Sequence, residues 1–271
     1  IQEAGQKPAI ATVAKGNALE LSPDKKMIVG KDFSVMFDFD KGTIETLRYG
    51  NNTIIENSGL ALNAFRAFTN NDRWAYQQWF AKGLHNLQHK ALAKSVKANA
   101  DGSYSYSFTV QSQAPNAAKI EGGTASGRNK IVELTDRAFT DADFRFVTNQ
   151  VFTVYPDGSI EVQASIGSND DFVNLPQLGY LVTMPKTYFR FTYYGRGKQD
   201  NYPDRKSGAF LGIYESDVLK EVVNFPKPQD MGHHQDSRWA ALTNMRGAGA
   251  IFVGTQPMDV AALPYTAQEM T

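Results

Sequence analysis

Alternation of apolar and polar residues runs through much of this sequence, and it limits the fold more than any other feature. The segment "FSVMFDFD" places apolar side chains at every second position from Phe33 to Phe39, which is the pattern of a half-buried strand. The turn sequences "DKG" and "GNN" then lead into "TIETLRYG" and "TIIEN". These segments predict a meander of three antiparallel strands.

The same pattern recurs along the rest of the chain. "SYSYSFTVQSQ" alternates, and "FRFVTNQVFTVYPDGSIEVQASI" predicts two long strands joined by a turn at Pro156-Asp157-Gly158. Further strands are predicted in "YFRFTYYG", "AALTNM" and "AIFVGTQ". One helix is predicted at 71–82, with Asn70 or Asn71 as its N-cap. The sequence therefore predicts an all-β fold, a large antiparallel sandwich with one short helix, although the spacing alone does not separate a sandwich from a barrel.

Charge and cysteine content exclude several classes of protein. Lys plus Arg and Asp plus Glu are both 28, so the chain lacks the basic excess of proteins that bind nucleic acid or anionic membranes. The sequence contains no run of 18 apolar residues, so no membrane-spanning helix is predicted. The absence of cysteine excludes disulfides and thiolate chemistry, and it leaves both the bacterial cytoplasm and the periplasm open as compartments.

Differences in amino-acid composition along the chain predict a tail followed by a domain. Residues 1–26 are small and polar, which predicts a linker or the tail of a preceding domain. Residues 27–271 hold all the predicted strands and are expected to form the β domain.

The histidines are the first candidates for chemistry. His85 and His89 have a spacing that would suit zinc on one helical face, but no third ligand lies nearby in the sequence, so no metal site is predicted. His233 and His234 lie in "PQDMGHHQDSRW", either as loop residues or, with Asp230 or Asp236 in reach, as a general acid.

Carboxylate pairs are the second candidate. A retaining glycosidase needs two carboxyl groups about 5 Å apart, and no spacing among the 28 acidic residues selects such a pair. Two loops, at 65–73 and 194–207, nevertheless carry more polar side chains than a simple turn requires.

These loops carry a family resemblance. "YYGRGKQDNYPDRKSG" is similar to "YGRGPxENYPDRxxSA" in the C-terminal domain, or small chain, of family 2 β-galactosidases, and "AFRAFTNNDRW" resembles that domain's "FWRAPTDND". "NLPQLGYLVTMP", "PQDMGHHQDSRWAAL" and "ALPYTAQEM" resemble later segments in the same order. With the opening meander and "FTVYPDGSIEV", seven segments cover residues of about 30 to 271.

The resemblance implies a galactose-mutarotase-like supersandwich that lies beside the active site of a multi-domain retaining hydrolase. The catalytic carboxylates and metal ions of that hydrolase are expected on an upstream barrel, so no catalytic residue and no cofactor is expected in this chain. The implied partners are the upstream barrel and sandwich domains, a β-galactoside substrate and further copies in a homo-oligomer. The family's domain also continues past "LPYT", so its C-terminal strands are expected to lie beyond Thr271.

The resemblance also assigns residues to a substrate-side loop. Arg66, Asn70, Asn71 and Asp72 occupy the positions of a segment that moves near the sugar as substrate binds. In the alternative interpretation, Asn70, Asn71 and Asp72 only cap the following helix, because Asn and Asp are among the best N-cap residues.

The other matched positions are expected to be structural. The loop positions Arg196, Asn201, Tyr202, Asp204 and Arg205 predict a network in which Arg205 pairs with a carboxylate. Arg238 and Trp239 are expected on a strand.

Two further functions stay open from the sequence. One is a free-standing carbohydrate-binding module. The other is an aldose epimerase, which would need His233 or His234 to face a glutamate across a cleft.

Overall fold

The computed structural model describes residues 18–122 and 130–271, and it divides them into two compact units. Of the described residues, the larger unit contains 18–122, 130–184, 227–229 and 267–271, and the smaller unit contains 185–226 and 230–266. Most of the predicted linker, residues 1–17, lies outside the described residues. The predicted domain boundary at residue 27 is preceded by one short strand, Glu20–Leu21, which pairs with Met27–Val29.

The described part of the larger unit is built from three antiparallel sheets. A six-stranded sheet has the order β1-β2-β3-β4-β5-β12, a four-stranded sheet has the order β11-β10-β7-β6, and β8 pairs with β9. The strands are β1 (Glu20–Leu21), β2 (Met27–Val29), β3 (Phe33–Asp38), β4 (Thr43–Tyr49), β5 (Asn52–Asn63), β6 (Gln88–Ala98), β7 (Tyr104–Gln113), β8 (Ala118–Glu121), β9 (Lys130–Glu133), β10 (Phe146–Val154), β11 (Ile160–Ser168) and β12 (Gly179–Val182). The predicted meander is confirmed as β3, β4 and β5, and the predicted hairpin at Pro156-Asp157-Gly158 joins β10 to β11.

Aromatic side chains pack the six-stranded sheet against the four-stranded one. Phe37 on β3 stacks on Tyr106 of β7 with ring centroids 4.0 Å apart, and it lies 5.4 Å from the ring of Phe152 on β10. These residues come from the alternating positions that the sequence marks as apolar, and all three are fully buried. The all-β class and the sandwich of antiparallel sheets are therefore confirmed.

The predicted helix is interrupted. Asn70–Trp74 form a 3₁₀ helix, and helix α1 (Tyr76–Ala81) follows it after Ala75. Within the described ranges α1 is the single α-helix, accompanied by 3₁₀ turns at Leu84–Asn86 and Val218–Glu221. The N-cap of the first turn is Thr69, so the prediction of Asn70 or Asn71 as the cap was wrong.

The smaller unit holds a four-stranded antiparallel sheet with the order β14-β13-β15-β16. Its strands are β13 (Arg190–Gly197), β14 (Phe210–Asp217), β15 (His234–Thr243) and β16 (Gly249–Val260). One face buries an apolar cluster of Phe191, Tyr193, Ala240 and Ala262. Arg238 and Trp239 lie on β15, as predicted. In the part of the chain that the structure describes, we find no helix that is long and apolar enough to cross a membrane.

Candidate functional site

A bidentate ion pair supports the loop that the resemblance places beside substrate. Arg66 donates from Nη1 to Asp72 Oδ2 at 2.8 Å and from Nη2 to Asp72 Oδ1 at 3.1 Å. Arg66 Nη1 also donates to the carbonyl of Ala67, and the Arg66 guanidinium lies 5.4 Å from the indole ring of Trp79. Paired guanidinium and carboxylate groups of this geometry fix both position and orientation. The start of the 3₁₀ helix is therefore tied to the segment that precedes it.

Asp72 also forms the N-terminal cap of this turn together with Thr69. The backbone N–H of Thr69 donates to Asp72 Oδ2 at 2.6 Å, and the Thr69 hydroxyl donates to the same oxygen at 3.0 Å. Burial alone would raise the pKa of the Asp72 carboxyl, but the hydrogen bonds from Arg66 and Thr69 outweigh burial and lower the pKa below its usual value. The signal for this cap was present in the sequence as Thr-x-x-Asp, a variant of the capping box.

The tip of this loop is open to solvent. Asn70 and Asn71 are exposed, and the side chain of Trp74 at the end of the 3₁₀ turn is 75% exposed. Below them, the ring of Phe68 stacks on Tyr76 at 4.6 Å. Of the four predicted substrate-side residues, Arg66 and Asp72 thus form the base of the loop, and Asn70 and Asn71 form its tip.

Asn201 joins the second polar loop to strand β15. Its backbone N–H donates to the carbonyl of His233 at 2.7 Å, and its side-chain oxygen accepts from the backbone N–H of Gln235 at 2.9 Å. Its side-chain nitrogen donates to the carbonyls of Arg196 and Gln199. This buried side chain therefore satisfies backbone groups on two separate stretches of chain.

The expected pairing of Arg205 with a carboxylate is present, and the partner is Asp200. Arg205 Nη2 donates to Asp200 Oδ2 at 3.1 Å, and its guanidinium lies 4.6 Å from the ring of Tyr202. The hydroxyl of Tyr202 in turn donates to Asp230 Oδ2 at 2.9 Å. Asp204 is exposed and stands outside these hydrogen bonds.

His233 lies between two carboxylates. Its Nδ1 is 2.8 Å from Asp259 Oδ2, and its Nε2 is 3.1 Å from Asp230 Oδ2. Burial disfavours the imidazolium, but the hydrogen bonds and charges of Asp230 and Asp259 outweigh burial and raise the pKa of His233 to about 10. The residue is therefore a charged bridge at neutral pH.

His234 points the other way and meets a glutamate. Its Nε2 is 2.7 Å from Glu221 Oε2, its Nδ1 is 3.2 Å from the carbonyl of Arg196, and its ring stacks on Tyr193 at 4.0 Å. The aldose epimerase interpretation requires a facing pair of this kind in a cleft, but His234 is 0% exposed. The pair is part of the interior of the smaller unit. Sequence reasoning missed Glu221 and Asp259, because no local pattern marks them.

Arg196 and Asp236 complete the network around the second loop. Arg196 Nε donates to Asp236 Oδ2, and Lys206 Nζ donates to both oxygens of the same carboxylate. The hydrogen bonds of these two cations lower the pKa of Asp236. Arg238 Nη1 donates to the carbonyl of Asp236 and so holds the start of β15.

The remaining histidine pair does not share a helical face. His85 lies in the 3₁₀ turn Leu84–Asn86, packed near the rings of Phe65 and Phe80, and burial lowers its pKa to about 4. His89 lies on β6, with Nδ1 at 2.9 Å from the hydroxyl of Ser112. Among the residues that the structure describes, no group of three or more histidine, aspartate or glutamate side chains is arranged to hold a metal ion.

The fold and these loops define a class: a β-sandwich protein in which ion pairs and hydrogen bonds hold two polar loops in fixed positions. Comparison with known proteins makes the assignment specific. A family model described as "Beta galactosidase small chain" matches residues 29–271, and the chain belongs to this family.

Individual relatives agree with this assignment. The chain is similar to the β-galactosidase of Priestia megaterium (strain DSM 319 / IMG 1521), with 28% identity over 97% of this chain and 23% of that protein. It is similar to the β-galactosidase of Halalkalibacterium halodurans, with 26% identity over 90% of this chain and 22% of that protein. The match to the Kluyveromyces lactis β-galactosidase is 24% identical over 93% of this chain and 23% of that protein. The chain thus spans less than a quarter of the length of these relatives.

Proposed function

We propose that this chain serves as the domain of a β-galactosidase that forms one wall of the galactoside site. The rest of the polypeptide would supply the acid and nucleophile carboxylates. The observation that carries this proposal is the arrangement of the 66–74 loop. An ion pair between Arg66 and Asp72 fixes the start of this loop, and a polar and aromatic tip is exposed to solvent. A sugar-binding wall needs this combination, because its polar groups must be held in position before the ligand arrives.

The tip has the chemistry of a sugar contact. The side-chain amides of Asn70 and Asn71 each offer donors and an acceptor that match sugar hydroxyls. Trp74 adds a flat apolar surface, of the kind that can lie on a pyranose ring. The Arg66–Asp72 pair limits the movement of all three, since it fixes the first turn on which they stand.

Three carboxylates of the smaller unit have structural partners, which supports a non-catalytic role for these groups. Asp230 and Asp259 both contact His233, and Glu221 contacts His234. A retaining hydrolase instead needs two carboxyl groups about 5 Å apart around an open sugar site.

Hydrolysis of a chromogenic β-galactoside tests the proposal. We expect turnover from the full-length polypeptide and none from this chain alone at the same concentration, with heat-denatured chain as the control. In the full-length protein, Asn71→Ala is expected to raise KM more than it changes kcat. Sustained turnover by the isolated chain would mean that an acid and a nucleophile lie among its own carboxylates, and the proposal would then be wrong.

A binding measurement distinguishes this proposal from the alternative that the chain is a free-standing carbohydrate-binding module. A free-standing module binds galactose without the rest of the polypeptide, whereas one wall of a composite site does not. Titration of the isolated chain with galactose, followed by tryptophan fluorescence, should therefore show no saturable change. A saturable change abolished by Trp74→Ala would favour the module.

A further inference from the structure

The exposed tip of the 66–74 loop presents two distinct rows of side chains. In a 3₁₀ helix, side chains three residues apart lie one above the other on the same face. Asn70 and Arg73 therefore form one row of the turn. Asn71 and Trp74 form a second row, and all four side chains are exposed. The tip thus offers two side-chain amides, one guanidinium and one indole ring to solvent.

The third row of the same turn faces the interior of the larger unit. It contains Asp72, which accepts hydrogen bonds from Arg66 and Thr69, and it continues to the buried Ala75. Asp72 is the one carboxylate of the Asn70–Trp74 turn. Because both of its oxygens bind Arg66, it is not available to a cation at the tip.

Arg73 has no carboxylate partner in the described part of the chain. The ion pair before the turn joins Arg66 to Asp72. The ion pair at the other end of α1 joins Lys82 to Asp170. Within residues 18–122 and 130–271, the Arg73 side chain forms neither an ion pair nor a hydrogen bond. Its planar guanidinium is therefore free to bind an oxyanion from outside the chain, and its geometry matches the oxygens of a carboxylate or a sulfate.

A second cation lies beside the base of the loop. Lys227 belongs to the larger unit, as the loop does, and its ammonium group lies 5.1 Å from the centre of the Phe68 ring. Phe68 in turn stacks on Tyr76. Lys227 is exposed, and it lies between Pro226 and Pro228, which restrict the backbone on both sides of it. An aromatic contact and a stiff backbone thus hold this ammonium group in place.

The surface formed by the tip and Lys227 has a positive charge. The charges of Arg66 and Asp72 cancel, so that Arg73 and Lys227 contribute two uncompensated positive charges. Among the described residues, no carboxylate pairs with Lys227 either. Hydroxyl groups of a neutral sugar gain little from such charges, whereas a hydrogen bond to an ionised group is about twice as strong as a neutral one. The uncompensated charge therefore favours an acidic ligand.

We propose that the galactoside site to which this chain contributes selects β-galactosides that carry an anionic group, a sulfate ester or a carboxylate. This inference rests on the proposed function and names the substrate class of the same site. In this arrangement the pyranose ring lies against Trp74, and the amides of Asn70 and Asn71 bind hydroxyl groups. The anionic group binds Arg73, and Lys227 adds attraction from beside the loop. Arg73 and Lys227 are thus the residues that determine specificity.

Hydrolysis of matched pairs of substrates by the full-length polypeptide tests the proposal. One pair is nitrophenyl β-galactoside with and without a sulfate ester on the galactose. The other pair is galactose β-linked to glucuronate or to glucose. We expect kcat/KM to be about tenfold higher for the acidic member of at least one pair, and that pair identifies where the anionic group lies.

Two results of this comparison would contradict the proposals, and they differ. If the neutral substrates are hydrolysed and neither acidic substrate is preferred, the inference about specificity is overturned and the proposed function stands. If none of the four substrates is hydrolysed, the proposed function is wrong, and the inference that rests on it is wrong as well.

Substitutions test whether the two cations cause the preference. Arg73→Gln and Lys227→Gln should each lower the ratio of acidic to neutral kcat/KM by about threefold. Arg73→Glu should reverse the preference, because the new carboxylate repels the anionic group. The control is Lys97→Gln, which removes an exposed cation on β6 of the same unit and should leave the ratio unchanged.

Salt provides an independent measurement on the unmodified protein. At an ionic strength of about 1 M, where charges are screened beyond about 3 Å, the preference for the acidic substrate should weaken. A preference that persists in Arg73→Glu would show that other groups select the substrate, and the proposal would be overturned.

Discussion

His234 Nε2 and Glu221 Oε2 are 2.7 Å apart in the interior of the smaller unit, where neither side chain is open to solvent. The pair connects the first residue of β15 to the 3₁₀ turn Val218–Glu221. A histidine that faces a glutamate is a common arrangement for proton transfer to a substrate, but here both side chains are buried. The pair therefore contributes to stability, and its removal should be seen in unfolding measurements.

Glu221→Ala is expected to lower the free energy of unfolding by about 1–3 kcal/mol, because the buried His234 loses its partner. Urea denaturation measures this change. Glu215→Ala, at an exposed position on β14, serves as the control and should remain within about 0.5 kcal/mol of the unmodified protein. If the Glu221 variant kept full stability and instead abolished an interconversion of galactose anomers followed by polarimetry, the epimerase interpretation would gain support.

The stability of the smaller unit should fall at alkaline pH because of His233. The carboxylates of Asp230 and Asp259 raise its pKa from 6.5 to about 10. A histidine with a raised pKa stabilises the folded state fully below its unfolded pKa, and this contribution is lost as the pH rises through the folded pKa. We expect a loss of roughly 2–4 kcal/mol between pH 6.5 and 10.

The control for this pH dependence is His233→Gln, which keeps hydrogen-bonding capacity and does not titrate. Denaturation at several pH values should show that the free energy of unfolding falls with rising pH in the unmodified protein, and that it falls less steeply in this variant. Equal slopes in the two proteins would show that other groups cause the alkaline loss.

Substitutions at Asp72 and Asn71 should have different effects, because Asp72 lies at the base of the substrate-side loop and Asn71 lies at its tip. Asp72→Asn removes the charge that pairs with Arg66 and should cost about 1–3 kcal/mol of unfolding free energy. Because the folded pKa of Asp72 is lowered, its stabilisation is present above its unfolded pKa of 3.8 and is lost as the pH falls through the folded pKa. Asn71→Ala should leave stability unchanged and raise KM in the full-length protein. The reverse pattern in these two assays would contradict the division into base and tip.

Asn201→Ala should be the most damaging single change in the second loop. Its side chain makes three hydrogen bonds to backbone groups, and truncation would leave those groups without partners, at a cost of about 2–4 kcal/mol. Asp204→Ala, three residues further on, provides the control, because Asp204 is exposed. Thermal unfolding of both variants checks the prediction. A similar loss in both would indicate that the loop depends on its charge more than on Asn201.

About half of the strands were predicted from the sequence, because the signals of those strands are local. The β3–β5 meander and the β10–β11 hairpin follow from period-two alternation and from Asp- and Gly-containing turns. Strand β6 was not predicted, since its position at the edge of a sheet favours lysines over a clear apolar face. The helix at 71–82 was predicted as one element, whereas the Thr69–Asp72 cap starts a 3₁₀ turn that ends before α1.

The site was only partly predictable because its partners are distant in sequence. Pairing of Arg205 with a carboxylate was predicted, and the structure identifies the partner as Asp200, five residues earlier. The contacts of His233 with Asp259 and of His234 with Glu221 join residues 26 and 13 positions apart, and no periodicity connects them. Only the fold brings these residues together.

The pairing of β12 with β5 has a consequence for how the larger unit folds. Near this pairing, Gln177 donates to the carbonyl of Phe65, 112 residues earlier in the chain. Until β12 has been synthesised, strand β5 remains an open edge in a nascent sheet. Closing so long a loop is slow compared with forming a local hairpin. We therefore expect the nascent protein to pass through a stage in which the open edge of β5 is free to pair with another chain.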